Sequence, residues 1–162
     1  MHSTTAQHVH LIGIGGAGMR GIAEILLAAG HRVSGSDVAP TSAVAHLGAL
    51  GAKLYGHHAA EHVDAADVVV FSSAIDGQNV ELQAAKKQGI PIKQRAEMLA
   101  ILSQDHIGVA VAGTHGKTTT AAMIVHVLRM QHQQPSFVVG EAMVSCGQRA
   151  KLDQGQAFVY EA

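Results

Sequence analysis

Val9-His10-Leu11-Ile12-Gly13-Ile14-Gly15-Gly16-Ala17-Gly18-Met19 decides the fold. A short apolar run ends abruptly in glycines, and Met19, Ile22, Ala23, Leu26 and Leu27 then recur at helical spacing. The order is strand, tight turn, helix. Gly30 closes the helix as a left-handed cap would, and residues 32–37 read as a second strand with Val33 facing inward. The glycines from Gly13 to Gly18 form a G-x-G-x-x-G in the context that gives this motif meaning. They permit close backbone approach, while the N-terminus of the following helix offers N–H groups to an anion such as a diphosphate. Asp37 ends the second strand, where a dinucleotide fold places an acid for a ribose hydroxyl about 20 residues beyond the glycines. On these residues alone the leading reading is an NAD-dependent oxidoreductase, with a plain turn residue as the alternative role for Asp37.

Outward from this unit the alternation continues. Residues 42–50 read as helix, 53–55 as a short strand, and 67–71, with Val68-Val69-Val70, as a fully buried strand. Residues 79–88 form a helix ended by Gly89, 92–94 a brief strand, and 95–103 a helix turning Met98, Leu99 and Leu102 to the sheet. Near Gln104 the pattern restarts, and we place a domain boundary at 103/104. Residues 107–112 form a new apolar strand, 113–117 a loop and 118–131 a long helix, while 137–139 and 157–160 read as two strands of a partial hairpin. So few elements are expected to fall short of a core of their own, so the second domain reads as truncated and the chain is expected to fold chiefly through residues 1–103.

The second loop is the more specific. Gly113-Thr114-His115-Gly116-Lys117-Thr118-Thr119-Thr120 again lies between an apolar strand and a helix. It resembles a P-loop, whose amides cradle phosphates, whose lysine reaches the outer phosphoryl oxygens and whose Ser/Thr hydroxyl ligates magnesium. Its first glycine is replaced by Val111, so only the second half of G-x-x-x-x-G-K-[ST] is kept. The expected ATP-binding set is Gly113, Thr114, His115, Gly116, Lys117, Thr118 and Thr119. Lys117 carries the phosphate chemistry and His115 either contacts phosphate or packs beside the loop. Glu161, closing the last strand, stands where P-loop folds put an acid near the metal.

Composition narrows the partners. Net charge is −1 with 12 histidines and one cysteine, Cys146, in 162 residues. A near-neutral chain has no basic field for nucleic acid. The lone cysteine excludes an internal disulfide framework and fits a reducing compartment. No apolar run approaches the roughly 20 residues of a membrane span, and residues 1–8 do not read as an export signal. A soluble cytoplasmic protein is expected, its scattered histidines mostly solvated. Oligomeric state is not legible.

Two phosphate-binding strand–loop–helix units in tandem, the second reading G-T-H-G-K-T-T-T, resemble the Mur ligases of peptidoglycan synthesis over the whole chain. Gly13-Ile-Gly-Gly-Ala-Gly-Met19, Ser34-Gly-Ser-Asp37, Ser72-Ser-Ala-Ile75 and Arg95-Ala-Glu-Met-Leu99 carry the resemblance. It implies a Rossmann-like, doubly wound, mostly parallel α/β sheet, followed by the start of a P-loop ATP-binding α/β domain. Gly15, Gly16, Ala17, Gly18 and Met19 would hold a UDP diphosphate, with Asp37, His58, Ser72 and Ser73 lining uridine and sugar. Thr118 and Glu161 would ligate Mg2+ beside ATP. The implied reaction joins L-alanine to UDP-N-acetylmuramate through an acyl phosphate. A related ligase that returns a tripeptide to the same sugar, and a non-catalytic nucleotide sensor, remain alternatives. Two positions depart from the family pattern. Val80 replaces the proline of Asn-Pro-Glu-Leu, and Gly140-Glu141 replaces a glycine pair. The isolated chain, lacking an amino-acid-binding region, is not expected to turn over.

Overall fold

A computed structural model describes residues 6–38 and 42–162. The chain forms two compact units, Met1–Arg95 and Ala96–Ala162. The division falls at 95/96, before the 103/104 break read from the sequence, because the helix Arg95–Ser103 belongs, apart from its first residue, to the second unit.

In the first unit the elements are β1 (His8–Ile12), α1 (Ala17–Ala28), β2 (Arg32–Ser36), α2 (Ser42–Ala49), β3 (Lys53–Tyr55), a 3-10 turn (Ala60–Val63), β4 (Val68–Phe71), α3 (Val80–Gln88) and β5 (Ile92–Gln94). The five strands lie in the order β3-β2-β1-β4-β5, every neighbouring pair parallel. The chain leaves β1 to one side and returns to β4 on the other. That reversal opens a crevice at the carboxyl ends of β1 and β4, where open α/β sheets bind ligands.

The register accounts for the two faces. Opposite His10 stand Ser34 and Val69, and opposite Ile12 stand Ser36 and Phe71. Strand side chains alternate, so these share one face. Ile12, Val69 and Phe71 pack there with Val63, Leu82 and Ala85 of the 3-10 turn and α3. The other parity, Val9, Leu11, Val33 and Val70, is buried as well. Helix α1 buries Met19, Ile22, Ala23 and Leu26 as its spacing predicts, and Ile25 as well, while Leu27, expected on the same stripe, is only half-buried. Asn79 caps α3 by accepting from the Glu81 and Leu82 N–H groups, and Gly89 ends it with φ 69°.

At Gly35 a side chain is excluded by contact. A Cβ there would lie 2.6 Å from Ile14 Cδ1 and 2.7 Å from the Leu11 carbonyl oxygen. Gly35→Ala is expected to cost about 2–3 kcal/mol through overpacking, read as a fall in the urea midpoint at unchanged slope.

The second unit comprises α4 (Arg95–Ser103), β6 (Ile107–Val111), α5 (Lys117–Met130), β7 (Ser136–Val138), β8 (Ala150–Lys151) and β9 (Ala157–Glu161). Its sheet runs β6-β9-β7-β8. Two expectations are corrected here. The strands read as a partial hairpin are parallel neighbours, and the antiparallel partner of β7 is β8, two residues too short to leave a sequence signal. This unit also has a core, with Val111, Ala121, Val125, Phe137, Val139, Met143 and Val159 packed together. No described helix is long and apolar enough to cross a membrane.

Candidate functional site

In the first unit the residues expected to bind a sugar nucleotide stand at the carboxyl edge of the sheet. Gly13 turns the chain with φ 79°, and its N–H and that of Ile14 donate to the Ser36 carbonyl. The Gly15 N–H donates to Asp37 Oδ2 at 2.8 Å, so the carboxylate that ends β2 braces the glycine loop. A Cβ on Gly15 would approach that oxygen to 2.7 Å. Helix α1 then opens at Ala17 and Gly18, where N–H groups have no intrahelical acceptor. Met19 differs in kind from its neighbours. Its side chain is fully buried and its N–H is bonded to the Gly16 carbonyl, so it anchors the helix in the core.

Ser72 and Ser73 follow β4 across the crevice, and Ile75 beside them reaches Gly13. One basic group at this edge carries no signal in the glycine motif: Arg95. Its Nη1 would sit 2.9 Å from a Cβ on Gly18, which places a guanidinium against the first turn of α1. Nearby, Ile14, Asp37, Val44, Ala45, Leu54, Tyr55 and Gly56 line a largely apolar slot of about 210 Å³.

His58 belongs to a polar cluster that the scattered histidines did not reveal. Glu81, fully buried at the start of α3, accepts from Ser36 Oγ at 2.6 Å and His58 Nδ1 at 2.8 Å on Oε2, and from His62 Nδ1 at 2.9 Å on Oε1. His10 Nε2 stands 3.4 Å from Oε1 without a well-formed hydrogen bond. Burial opposes ionisation of this carboxyl. The contacts from His10, Ser36, His62 and His58 outweigh it and hold the pKa at about 2. His10 and His62 are thus interior groups, exceptions among described histidines that are otherwise exposed or partly exposed. The Tyr55 ring stacks on His62 with centroids 3.6 Å apart.

In the second unit Gly116, at φ 76°, turns the chain into α5, and Lys117 Nζ donates to the Gly113 carbonyl at 2.7 Å. Thr114, His115, Gly116, Lys117, Thr118, Thr119 and Glu161 line one polar hollow of about 330 Å³. Residues separated widely in sequence meet at Gly140, just after β7. Its N–H donates to Glu161 Oε1 at 2.5 Å, and a Cβ there would lie 3.2 Å from both Thr118 Oγ1 and Glu161 Oε2. Two hard oxygen donors thus flank a space kept open by the absence of a side chain, a donor set that suits Mg2+ completed by phosphate and water. Glu141 is directed elsewhere, its carboxylate 3.9 Å from Arg149 Nη1.

Comparison with known proteins bears on this arrangement. The family model described as "Mur ligase family, catalytic domain" matches residues 8–107. The chain belongs to the Mur ligase family. Its curated Mur ligase relatives include the UDP-N-acetylmuramate–L-alanine ligases of Methylobacillus flagellatus and Pelotomaculum thermopropionicum. Each is 49% identical over 156 residues, or 96% of this chain. The chain spans about a third of their length, 33% and 34%. Among solved structures, the UDP-N-acetylmuramate:L-alanyl-γ-D-glutamyl-meso-diaminopimelate ligase from Neisseria meningitides superposes with TM-score 0.91 at 34% identity. It covers 98% of this chain and 53% of that one. The UDP-N-acetylmuramate–alanine ligase from Thermotoga maritima gives 0.87 at 32% identity, covering 96% and 36%. Both likenesses extend over the two units.

Proposed function

We propose that the chain supplies the sugar-nucleotide site and the ATP-phosphate loop of a cytoplasmic UDP-N-acetylmuramate:L-alanine ligase acting in peptidoglycan precursor synthesis. The observation that carries the reading is the pairing of two different anion cradles. One is the glycine turn braced by Asp37, and the other is the Lys117 loop facing the Thr118–Glu161 oxygen pair. An NAD-dependent oxidoreductase accounts for the first cradle and leaves the second without a purpose. The 49% identity to L-alanine ligases favours alanine over a tripeptide as the acceptor amine.

In this reading the UDP diphosphate lies against the first turn of α1, where Ala17 and Gly18 present N–H groups and Arg95 adds a positive charge. The slot beside Leu54 and Tyr55 takes the uracil ring. His58, Ser72 and Ser73 face the ribose and muramyl part. In the second unit the loop amides and Lys117 hold the β- and γ-phosphates of ATP, and Thr118 and Glu161 would hold Mg2+, which supplies charge neutralisation between the reacting anions. The muramyl carboxylate oxygen attacks the γ-phosphorus and ADP departs. The alanine amine then attacks the acyl carbon, the C–O bond to phosphate breaks, and inorganic phosphate leaves as the amide forms. An amine cannot displace an oxygen from a carboxylate until that oxygen carries the phosphoryl group and can leave as phosphate, so the protein's work is positioning and electrostatic stabilisation.

Amide NMR titration of the labelled chain tests this. UDP-N-acetylmuramate should shift residues 15–19 and 72–73 while NADH leaves them unmoved; the reverse pattern would refute the reading. Arg95→Ala is expected to weaken UDP-N-acetylmuramate binding about 10-fold in the same titration, the loss of one charge-assisted contact.

A further inference from the structure

We infer that Glu81, a buried residue outside the ligand crevice, is a positioning residue for the sugar-nucleotide site, fixing the tautomer and orientation of His58 through a shared hydrogen bond with Ser36. The inference rests on the reading of the carboxyl edge as that site and adds a residue to it.

The geometry determines where the protons are. Ser36 donates its only hydroxyl proton to Glu81 Oε2 at 2.6 Å. His58 Nδ1 has two neighbours within reach, that carboxylate oxygen at 2.8 Å and Ser36 Oγ at 2.9 Å. Both can only accept, because one is a carboxylate and the other has already spent its proton. Nδ1 therefore carries hydrogen. In the neutral ring Nε2 then keeps its lone pair and accepts from a ligand hydroxyl or imide N–H. His58 is the member of the cluster with an exposed edge, 18% of its side chain, whereas Glu81 has none. The carboxylate is itself held against rotation, since Oε1 takes the His62 donor and Asn79 caps the helix turn that carries it. A carboxylate behind an imidazole, setting which ring nitrogen faces the ligand, is the arrangement by which histidines are oriented in many sites.

Glu81→Gln is nearly isosteric and replaces one acceptor oxygen with an NH2 donor, which cannot satisfy Ser36, His58 and His62 together. Long-range proton–nitrogen NMR of the imidazoles reads the result directly. In the unaltered chain His58 should show a protonated Nδ1 and, while neutral, a bare Nε2. In Glu81→Gln this tautomer preference should fall away, and affinity for UDP-N-acetylmuramate should drop about 10-fold. Shifts of residues 113–119 on ATP addition should be unchanged. In a His58→Ala background Glu81→Gln should cause no further loss of affinity, which a merely structural role would not predict.

A neutral His58 protonated on Nε2 in the unaltered chain overturns the inference, and this measurement decides even if Glu81→Gln does not fold. So does a Glu81→Gln chain that folds and binds with undiminished affinity. If the unaltered chain shows the expected tautomer but no UDP-N-acetylmuramate binding, the site reading fails, and the inference about ligand positioning fails with it. A wrong tautomer alongside normal binding sinks the inference alone.

Discussion

Lys117→Ala is expected to reduce affinity for ATP about 100-fold, measured by fluorescence titration of the chain with a fluorophore-labelled ATP in the presence of Mg2+. The size follows from what the ammonium does. It lies within the loop at hydrogen-bond distance of the Gly113 carbonyl, beside a hollow lined by Thr114, Gly116, Thr118 and Glu161. Charge-assisted hydrogen bonds to phosphate oxygens are worth about twice neutral ones, so losing two or so removes roughly 2–3 kcal/mol. The substitution removes no core contact, because α5 is held by Ala121 and Val125. The urea midpoint of the second unit should therefore stay where it is. Equal affinity in the two chains would remove the main support for an ATP site.

Acidification is expected to destabilise the first unit by roughly 3 kcal/mol as the medium passes from above pH 4.5 to below about 2, through protonation of Glu81. The sign is set by the direction of the shift. The carboxyl titrates near 4.5 when unfolded and at about 2 when folded, so the folded state binds the proton less readily. Its stabilising contribution is present in full above the unfolded value and is lost as pH falls toward the folded one. Replacing Glu81 by Leu should abolish this part of the acid dependence. It should also lower stability at neutral pH by about 3–5 kcal/mol, since Ser36, His58 and His62 would lose a buried acceptor. Hydrogen exchange of β1 and β2 amides against pH would follow the effect within that unit. An acid profile indifferent to Glu81→Leu would show that the carboxylate is not held as the geometry implies.

Both glycine loops were legible as strand-to-helix turns because each is local. A strand, a run of glycines and a helix are contiguous, so the residues that shape each turn stand next to one another in the sequence. The same holds for Asp37, which follows β2 directly. What escaped was assembled from a distance. His10, Ser36, His58, His62 and Glu81 come from five separate segments, and the parallel register of β1 with β2 sets His10 opposite Ser34, with Ser36 two residues further along the same face. Nothing in their spacing distinguishes an interior histidine from a solvated one. Arg95 was read as the first residue of a helix, and its approach to Gly18 depends on β5 lying at the sheet's edge beside β4. In the second unit the parallel pairing of β7 with β9 was missed because two strands in succession with no helix between them suggest a hairpin, while the intervening β8 occupies only Ala150–Lys151.

The open space at Gly140 has a bearing on how the chain can be prepared. Thr118 comes from the start of α5, Gly140 from the end of β7 and Glu161 from the end of β9, and the pairing of Val138 with Tyr160 fixes how far along its strand Glu161 stands. A slip of one residue would carry the Glu161 carboxylate to the opposite face of the sheet and leave Thr118 without its companion oxygen. On the proposed reading of this site, cation-dependent nucleotide retention would serve as an assay of strand alignment. A preparation recovered from denaturant would then sort on it, misaligned molecules passing through an immobilised-nucleotide column that correctly aligned ones remain on.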